Sequence, residues 1–420
     1  MKKRITCILL VFLGLIGCTE FPNSYNRVNA DMIRTLDFMY EPAEAVPGDT
    51  VTMTAVFAGR QFEIDEIDWS ISFDVISNNY GIDTAYNLQP LPEVPVESSC
   101  SFSSNTQCVV KKFVVPEDVI RNSPAIPRNW LADIPEEFAG SIPEWVYSLQ
   151  KDSVISMIET LTEKADEWNE YLQDSTHTQE TLAASDPLFS LYVNRINHLL
   201  PELLQIFTAP MRIFADLPGA HRIKSDYWVR YNRQLIDLPG SMLYENTNPV
   251  IDSISVYKVA EENLFSFDPD DDSYSYERIR LLGPGDEQWD GVPVNVIVDE
   301  GYSYFITCHN QPPDSLITMD SAIVNGGKSE EKLNPQWYFQ LSENEIEKLN
   351  VTEYMNIVDI GNLIAALYPS TDERISTATI WLKLSDYMIN ENRHPVASTL
   401  KEVLVSFTYT QAYLDSKEKK

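Results

Sequence analysis

The chain has 420 residues, room for two or three domains, and its 44% hydrophobic and 11% aromatic content excludes an intrinsically disordered protein. Its 63 acidic residues against 31 basic ones give a formal charge of −32, which opposes a phosphate backbone and excludes nucleic acid as the expected partner. The same charge opposes anionic lipid surfaces. The first predicted element is an export signal: Met1-Lys2-Lys3-Arg4, an apolar run from Ile5 to Ile16, then Gly17-Cys18. That run is too short to be a permanent span, which takes roughly 20 residues.

Leu15-Ile16-Gly17-Cys18 resembles the lipobox of bacterial lipoproteins. The resemblance implies that residues 1–17 are removed and that Cys18 carries a diacylglycerol, with its new amino group acylated as well. Several acyl chains at about 0.8 kcal/mol per buried methylene make a stable anchor, so the membrane partner is reached through lipid. Thr19 stands where an inner-membrane member would carry Asp, which implies the outer membrane. Losing Lys2, Lys3 and Arg4, with no acid in residues 1–17, takes the formal charge from −32 to −35. Residues 18–31 are polar, contain Pro22, and read as the lipidated tether.

A β-rich region follows. Ile33 to Tyr40 is a predicted strand, and Pro42 and Pro47-Gly48-Asp49 mark a turn. Val51, Met53, Ala55 and Phe57 alternate with Thr52 and Thr54 in the next strand. Ile67 to Ile76 puts Trp69, Ile71, Phe73 and Val75 on one face, and Cys108 to Val115 ends at Pro116. This order, with an early tryptophan in the third strand, resembles bacterial immunoglobulin-like domains and implies two packed sheets with that tryptophan between them.

From Pro143 the period changes. Val154, Ile158, Leu161, Ala165, Trp168 and Leu172 follow helical spacing, as do Phe189, Val193, Ile196, Leu200, Leu203 and Phe207. Pro201 kinks or divides the second segment, and the polar stretch Thr176 to Asp186 between them reads as a loop. The two seams pair most simply as a helical hairpin. Tyr227 to Tyr231 reads as a late strand that completes the first sandwich, making the helices an insertion; a free-standing helical domain is the alternative.

Val250 to Val259, Val292 to Val298, Ser303 to Cys308, Gln336 to Leu341, Thr377 to Leu384 and Glu402 to Thr410 are strands of a second sandwich. A short amphipathic helix is predicted over Met355 to Tyr368. Trp337 echoes Trp69, and Ile380-Trp381-Leu382-Lys383 echoes Tyr227-Trp228-Val229-Arg230, the signature of an internal duplication. The expected fold class is mainly β with α: two immunoglobulin-like β-sandwiches with a helical hairpin inserted in or following the first. The division is 1–17 signal; 18–31 tether; 32–125 plus 219–240 first sandwich; 126–218 helices; 248–412 second sandwich; 413–420 frayed tail.

Of five cysteines, Cys7 leaves with the signal and Cys18 is lipidated. Cys100 and Cys108 flank a polar loop, so they are paired as a disulfide across a hairpin, worth roughly 2–3 kcal/mol in the chain-entropy model. Cys308 alternates with Tyr302, Tyr304 and Ile306 and reads as a buried, inert thiol. The five histidines show no ligand pair at helical spacing, and no nucleophile elbow, phosphate loop or dinucleotide fingerprint occurs. Catalysis and a tightly held cofactor are therefore not expected, with a hydrolase assembled through space as the alternative.

Two features suggest binding. Asp268, Asp270 and Asp272 alternate within a 40-residue stretch, 261–300, that holds twelve acids against Arg278 and Arg280. They offer oxygen ligands for a weak Ca²⁺ site, with a solvated acidic loop as the simpler reading. Tyr274, Tyr276 and Trp289 lie beside them as rings that stack on a sugar, against the alternative of core aromatics. The expected function is a membrane-tethered, non-catalytic binding or scaffold module with a protein or glycan partner.

Overall fold

The computed structural model describes residues 27–28, 32–72, 74–77, 83–86, 88–95, 100, 102–103, 106–117, 119, 151–197, 209–218, 222–229, 235, 237–241, 247–266, 277–309, 332–341, 346–348, 357–359, 377–387 and 397–418. The protein is mainly β with some α. The strands among the described residues form two sandwiches, each of two facing sheets, and a two-stranded ribbon.

In the first sandwich one sheet runs β2 (Ile33–Glu41), β3 (Thr50–Gly59), β9 (Thr106–Val114) and β8 (Glu93–Val94). The other runs β11 (Arg222–Val229), β10 (Ala209–Asp216), β4 (Asp68–Ser72) and β7 (Gln89–Pro90). In sequence terms these are strands A-B-E-D against G-F-C and one more, the order of an immunoglobulin-type sandwich. After Pro42 the first strand crosses sheets, so that Ala45 bridges Val229 in parallel. The Tyr227 hydroxyl holds that crossing by donating to the Pro42 carbonyl at 2.8 Å. Val51, Met53, Ala55 and Phe57 face inward as their alternation requires, against Trp69, Ile71, Met211, Ile213 and Ala215.

Several boundaries move. The predicted strand Ile67 to Ile76 is broken into β4 and β5 (Asp74–Ser77), the latter paired in the ribbon with β6 (Asp83–Tyr86). The sandwich resumes at Ala209 rather than at 219, because Met211, Ile213 and Ala215 form the inward face of a central strand. Thr176 to Asp186 is not all loop: Thr178 caps α2 (Gln179–Ser185) by accepting from Thr181 N, while Thr181 caps it reciprocally. Before it comes α1 (Lys151–Gln173), and after it α3 (Pro187–Leu191) with a wider π turn over Tyr192–Ile196. Leu200, Pro201, Leu203 and Phe207 lie outside the described residues.

The helices lie in sequence between β9 and β10, two strands of one sandwich. Their buried residues Ile158, Leu161, Ala165, Trp168, Phe189, Tyr192 and Ile196 belong to the same apolar cluster as the two sheets. They extend the sandwich core rather than build one of their own.

The second sandwich sets one four-stranded sheet against one of six. The first is β13 (Glu277–Leu282), β12 (Ser253–Ala260), β15 (Tyr302–His309) and β18 (Ile357–Asp359). The other is β1 (Arg27–Val28), β17 (Ile346–Lys348), β16 (Lys332–Leu341), β19 (Thr377–Tyr387), β20 (Ser398–Tyr409) and β14 (Val294–Val298). β14 pairs β20 in parallel, the counterpart of the Ala45–Val229 bridge. Its burial alternates strictly, with Val294, Val296 and Val298 inward.

Three expectations are corrected here. Residues 18–31 are not tether throughout, since Arg27 and Val28 pair with Glu347 and Ile346 at the edge of this sheet. Ile357 to Asp359 opens the segment predicted as a helix, but it is a strand on β15, where open backbone groups of the sheet edge are satisfied. The tail is not simply frayed: α4 (Gln411–Glu418) is helical, with Tyr413 packed against the second core.

The duplication is half right. Trp69 on β4 stands opposite Ala215 on β10, and Trp337 on β16 stands opposite Leu382 on β19, so the two tryptophans occupy matching places. Trp381, however, is on the strand that corresponds to β10, where its counterpart is Phe214. Trp228 is on the last strand, β11.

Candidate functional site

The two sandwiches meet outer face to outer face, and the junction starts from a break in strand alternation. On β2, Phe38 and Tyr40 face the first core, which sends Asp37 and Met39 outward. A register shift between Thr35 and Asp37 inserts Leu36 as an extra residue, so Leu36 and Asp37 both face the second sandwich. Leu36, Val56 and Ala58 pack there against Tyr338, Trp381 and Leu400.

Polar groups frame this apolar contact. Lys383 Nζ lies 2.6 Å from Asp37 Oδ1, with the Asp37 side chain only 1% exposed. Asn248 Nδ2 donates to the Tyr40 carbonyl at 2.7 Å. On the other side, Glu402 of β20 accepts from Ser103 N and Oγ, both at 2.7 Å, and from Thr106 Oγ1 at 2.5 Å. The Trp381 indole N–H donates to Thr106 Oγ1 at 3.0 Å and to Glu402 Oε1 at 3.2 Å. Glu402 is half-buried, and four donors reach its carboxylate, replacing the water that the contact excludes. Arg34 lies over the Tyr338 ring at 5.1 Å. Burial pushes the Tyr338 hydroxyl's pKa up and pulls the Arg34 guanidinium's down.

A second centre is the helical unit. Trp168 stacks on Tyr192 at 5.7 Å and meets Phe189 edge-on at 4.9 Å. Asp186 ties three helices together: its Oδ1 accepts from Leu188 N and Phe189 N, and its Oδ2 from Trp168 Nε1 at 2.9 Å. The Trp168 bond, then the backbone donors, hold its carboxyl below the usual range. Asn197 Nδ2 donates to the Gly240 carbonyl at 2.6 Å, joining the helices to the chain beyond β11. With the apolar seam turned inward, the exposed ridge of α1 carries Glu163, Asp166, Glu167 and Glu170.

Cys100 and Cys108 are joined as a disulfide. Cys108 is in β9, but Cys100 is in the loop entering it, not on an opposing strand. Cys308 is buried in the second core, where desolvation pushes its thiol up to about 12. Trp289 packs against that core with Lys401 Nζ 4.3 Å above its ring, so one face is already covered. Cys18, Asp268, Asp270, Asp272, Tyr274 and Tyr276 lie outside the described residues.

Among the described residues no three His, Cys, Asp or Glu side chains converge as a metal-ligand set, and no helix is long and apolar enough to cross a membrane. Sequence reasoning missed Glu402, Thr106 and Asp186. A capping signature, Asp186 before Pro187, marks the last; the others come together only in space. No protein-family model matches the chain, and no curated protein matches it in sequence.

Proposed function

We propose that this protein is a membrane-tethered lipoprotein that acts, without catalysis, as a scaffold presenting a binding surface in the bacterial cell envelope. The observation that carries the reading is the joining of two sandwiches through the polar clamps at Glu402 and Lys383–Asp37, and of the helical unit to the first sandwich through a shared core and the Asn197–Gly240 bond. Such an arrangement holds a surface in a fixed pose, which is what a scaffold requires; fold alone does not decide function. The helical unit is the element that departs from the sandwich pattern, and its exposed acidic ridge suits a cationic protein partner.

Tethering rests on the Leu15 to Cys18 motif. The test is detergent-phase partitioning of the full chain and of Cys18→Ser. The wild type is expected in the detergent phase. The variant is expected in the aqueous phase with an unchanged melting temperature, and its retention by detergent would overturn the tether. Binding through the helices is tested by reversing Glu163, Asp166, Glu167 and Glu170 to Lys. Deleting residues 143–212 is unsuitable, because it would also remove the first half of β10.

A further inference from the structure

We propose that the Cys100–Cys108 disulfide is a redox latch on the junction between the sandwiches: a dithiol that reduces it frees the loop that grips Glu402, and the sandwiches then move against each other while both stay folded.

Inward residues of β9, Val109 and Phe113, belong to the first core. Cys108 stands opposite Val56, which faces the junction, and Cys108 itself packs against the junction cluster. The disulfide is therefore on the outer face of its sandwich. The sheet-to-sheet packing of that sandwich is apolar and does not pass through the bond.

The loop closed by the disulfide carries the clamp. The two cysteines are eight positions apart, and between them Phe102 packs against the junction while Ser103 donates twice to Glu402. Thr106, whose hydroxyl also donates to Glu402, ties the loop by donating its own N–H to the Ser103 carbonyl at 3.0 Å. Closing a loop removes conformational freedom in proportion to the logarithm of its length, so opening this one returns entropy to the residues that must be ordered for Glu402 to be satisfied. A half-buried carboxylate that loses two of its four donors is left partly unsatisfied at the contact, and the contact loosens.

The chemistry balances with a dithiol as reductant. One of its thiolates attacks a sulfur of the pair, forming a mixed disulfide and expelling the other cysteine as thiolate. Its second thiol then closes on the first. The dithiol leaves as a disulfide, having supplied two electrons and two protons to Cys100 and Cys108. Both cysteines are half-buried rather than enclosed, so the attack has a path, whereas Cys308 is buried in the other sandwich and plays no part.

The test uses the full chain with a keto amino acid at exposed Asp65 of the first sandwich and exposed Glu287 of the second, each carrying a spin label. The distance distribution is expected to be narrow when oxidised and to broaden severalfold in dithiothreitol. The Cys100→Ser/Cys108→Ser double variant is expected to be broad without reductant, and Glu402→Gln to be broad in both states, all with near-ultraviolet circular dichroism retained. Complete reduction by thiol titration with an unchanged narrow distribution would overturn the proposal. So would broadening in Glu402→Gln alone. Loss of the circular dichroism signal on reduction would also overturn it, by making the bond a stability staple of the first sandwich.

Discussion

In the first sandwich Trp69 faces inward opposite Ala215, and one residue before Ala215 stands Phe214, turned outward beneath Arg222 at 5.6 Å. In the second, Trp337 faces inward opposite Leu382, and the matching outward place is Trp381. Trp381 is fully buried, because the other sandwich covers it. The inner faces of the two units are thus variations on one scheme, and the outer faces are not. Sandwich cores set the fold; the outer faces decide what each unit joins to. The first adds a helical unit to its own core, the second offers its outer face to its neighbour.

The largest effect is expected at an inner face. Trp337→Ala is expected to cost about 3–5 kcal/mol, the range for removing a large aromatic from a closed core, read as the denaturation midpoint of the whole chain. At the outer face, Trp381→Ala is expected to cost about 2–4 kcal/mol, by leaving a cavity and removing one donor from Glu402. It should leave the secondary structure of each sandwich intact in far-ultraviolet circular dichroism. An equal loss of secondary structure in the two variants would erase the distinction between faces.

The helical unit sharpens the contrast at a smaller scale. Asp186→Ala removes a helix cap and the acceptor of the Trp168 indole, together about 1–3 kcal/mol. Because its folded carboxyl titrates below the unfolded value of about 3.9, this contribution is complete above that pH and is lost as pH falls through the folded value. Tryptophan emission followed from pH 6 to pH 2 should show that acid step in the wild type and lack it in Asp186→Asn. The smallest effect is expected at Lys401→Ala, about 0.5–1 kcal/mol for a cation over the half-covered Trp289 ring. It is measured as a shift in melting temperature.

Much of the frame was legible in the residues. The alternation of Val51 to Phe57, the helical spacing of Ile158 to Trp168 and the place of Trp69 all describe burial along one element, which sequence records directly. Strand β10 escaped because apolar Phe214 stands between Arg212 and Asp216 on the outward face, so Ile213-Phe214-Ala215 reads as an unbroken apolar run. The helix at Gln179 escaped because its capping box closes with Thr181, not the usual Glu or Gln. Ile357 was misread because its spacing to Ile360 and Leu363 suits a helix, while the open edge of β15 supplied a competing partner. The site was the least legible part: Thr106 and Glu402 are 296 positions apart, and the extra Leu36 that turns β2 toward the junction leaves no mark in composition.

Calorimetry of the full chain tests most directly whether the sandwiches form one body. A single cooperative transition is expected in the wild type, separating into two in Glu402→Ala as the junction fails and each sandwich unfolds by itself. Two transitions already present in the wild type, unmoved by the substitution, would contradict it.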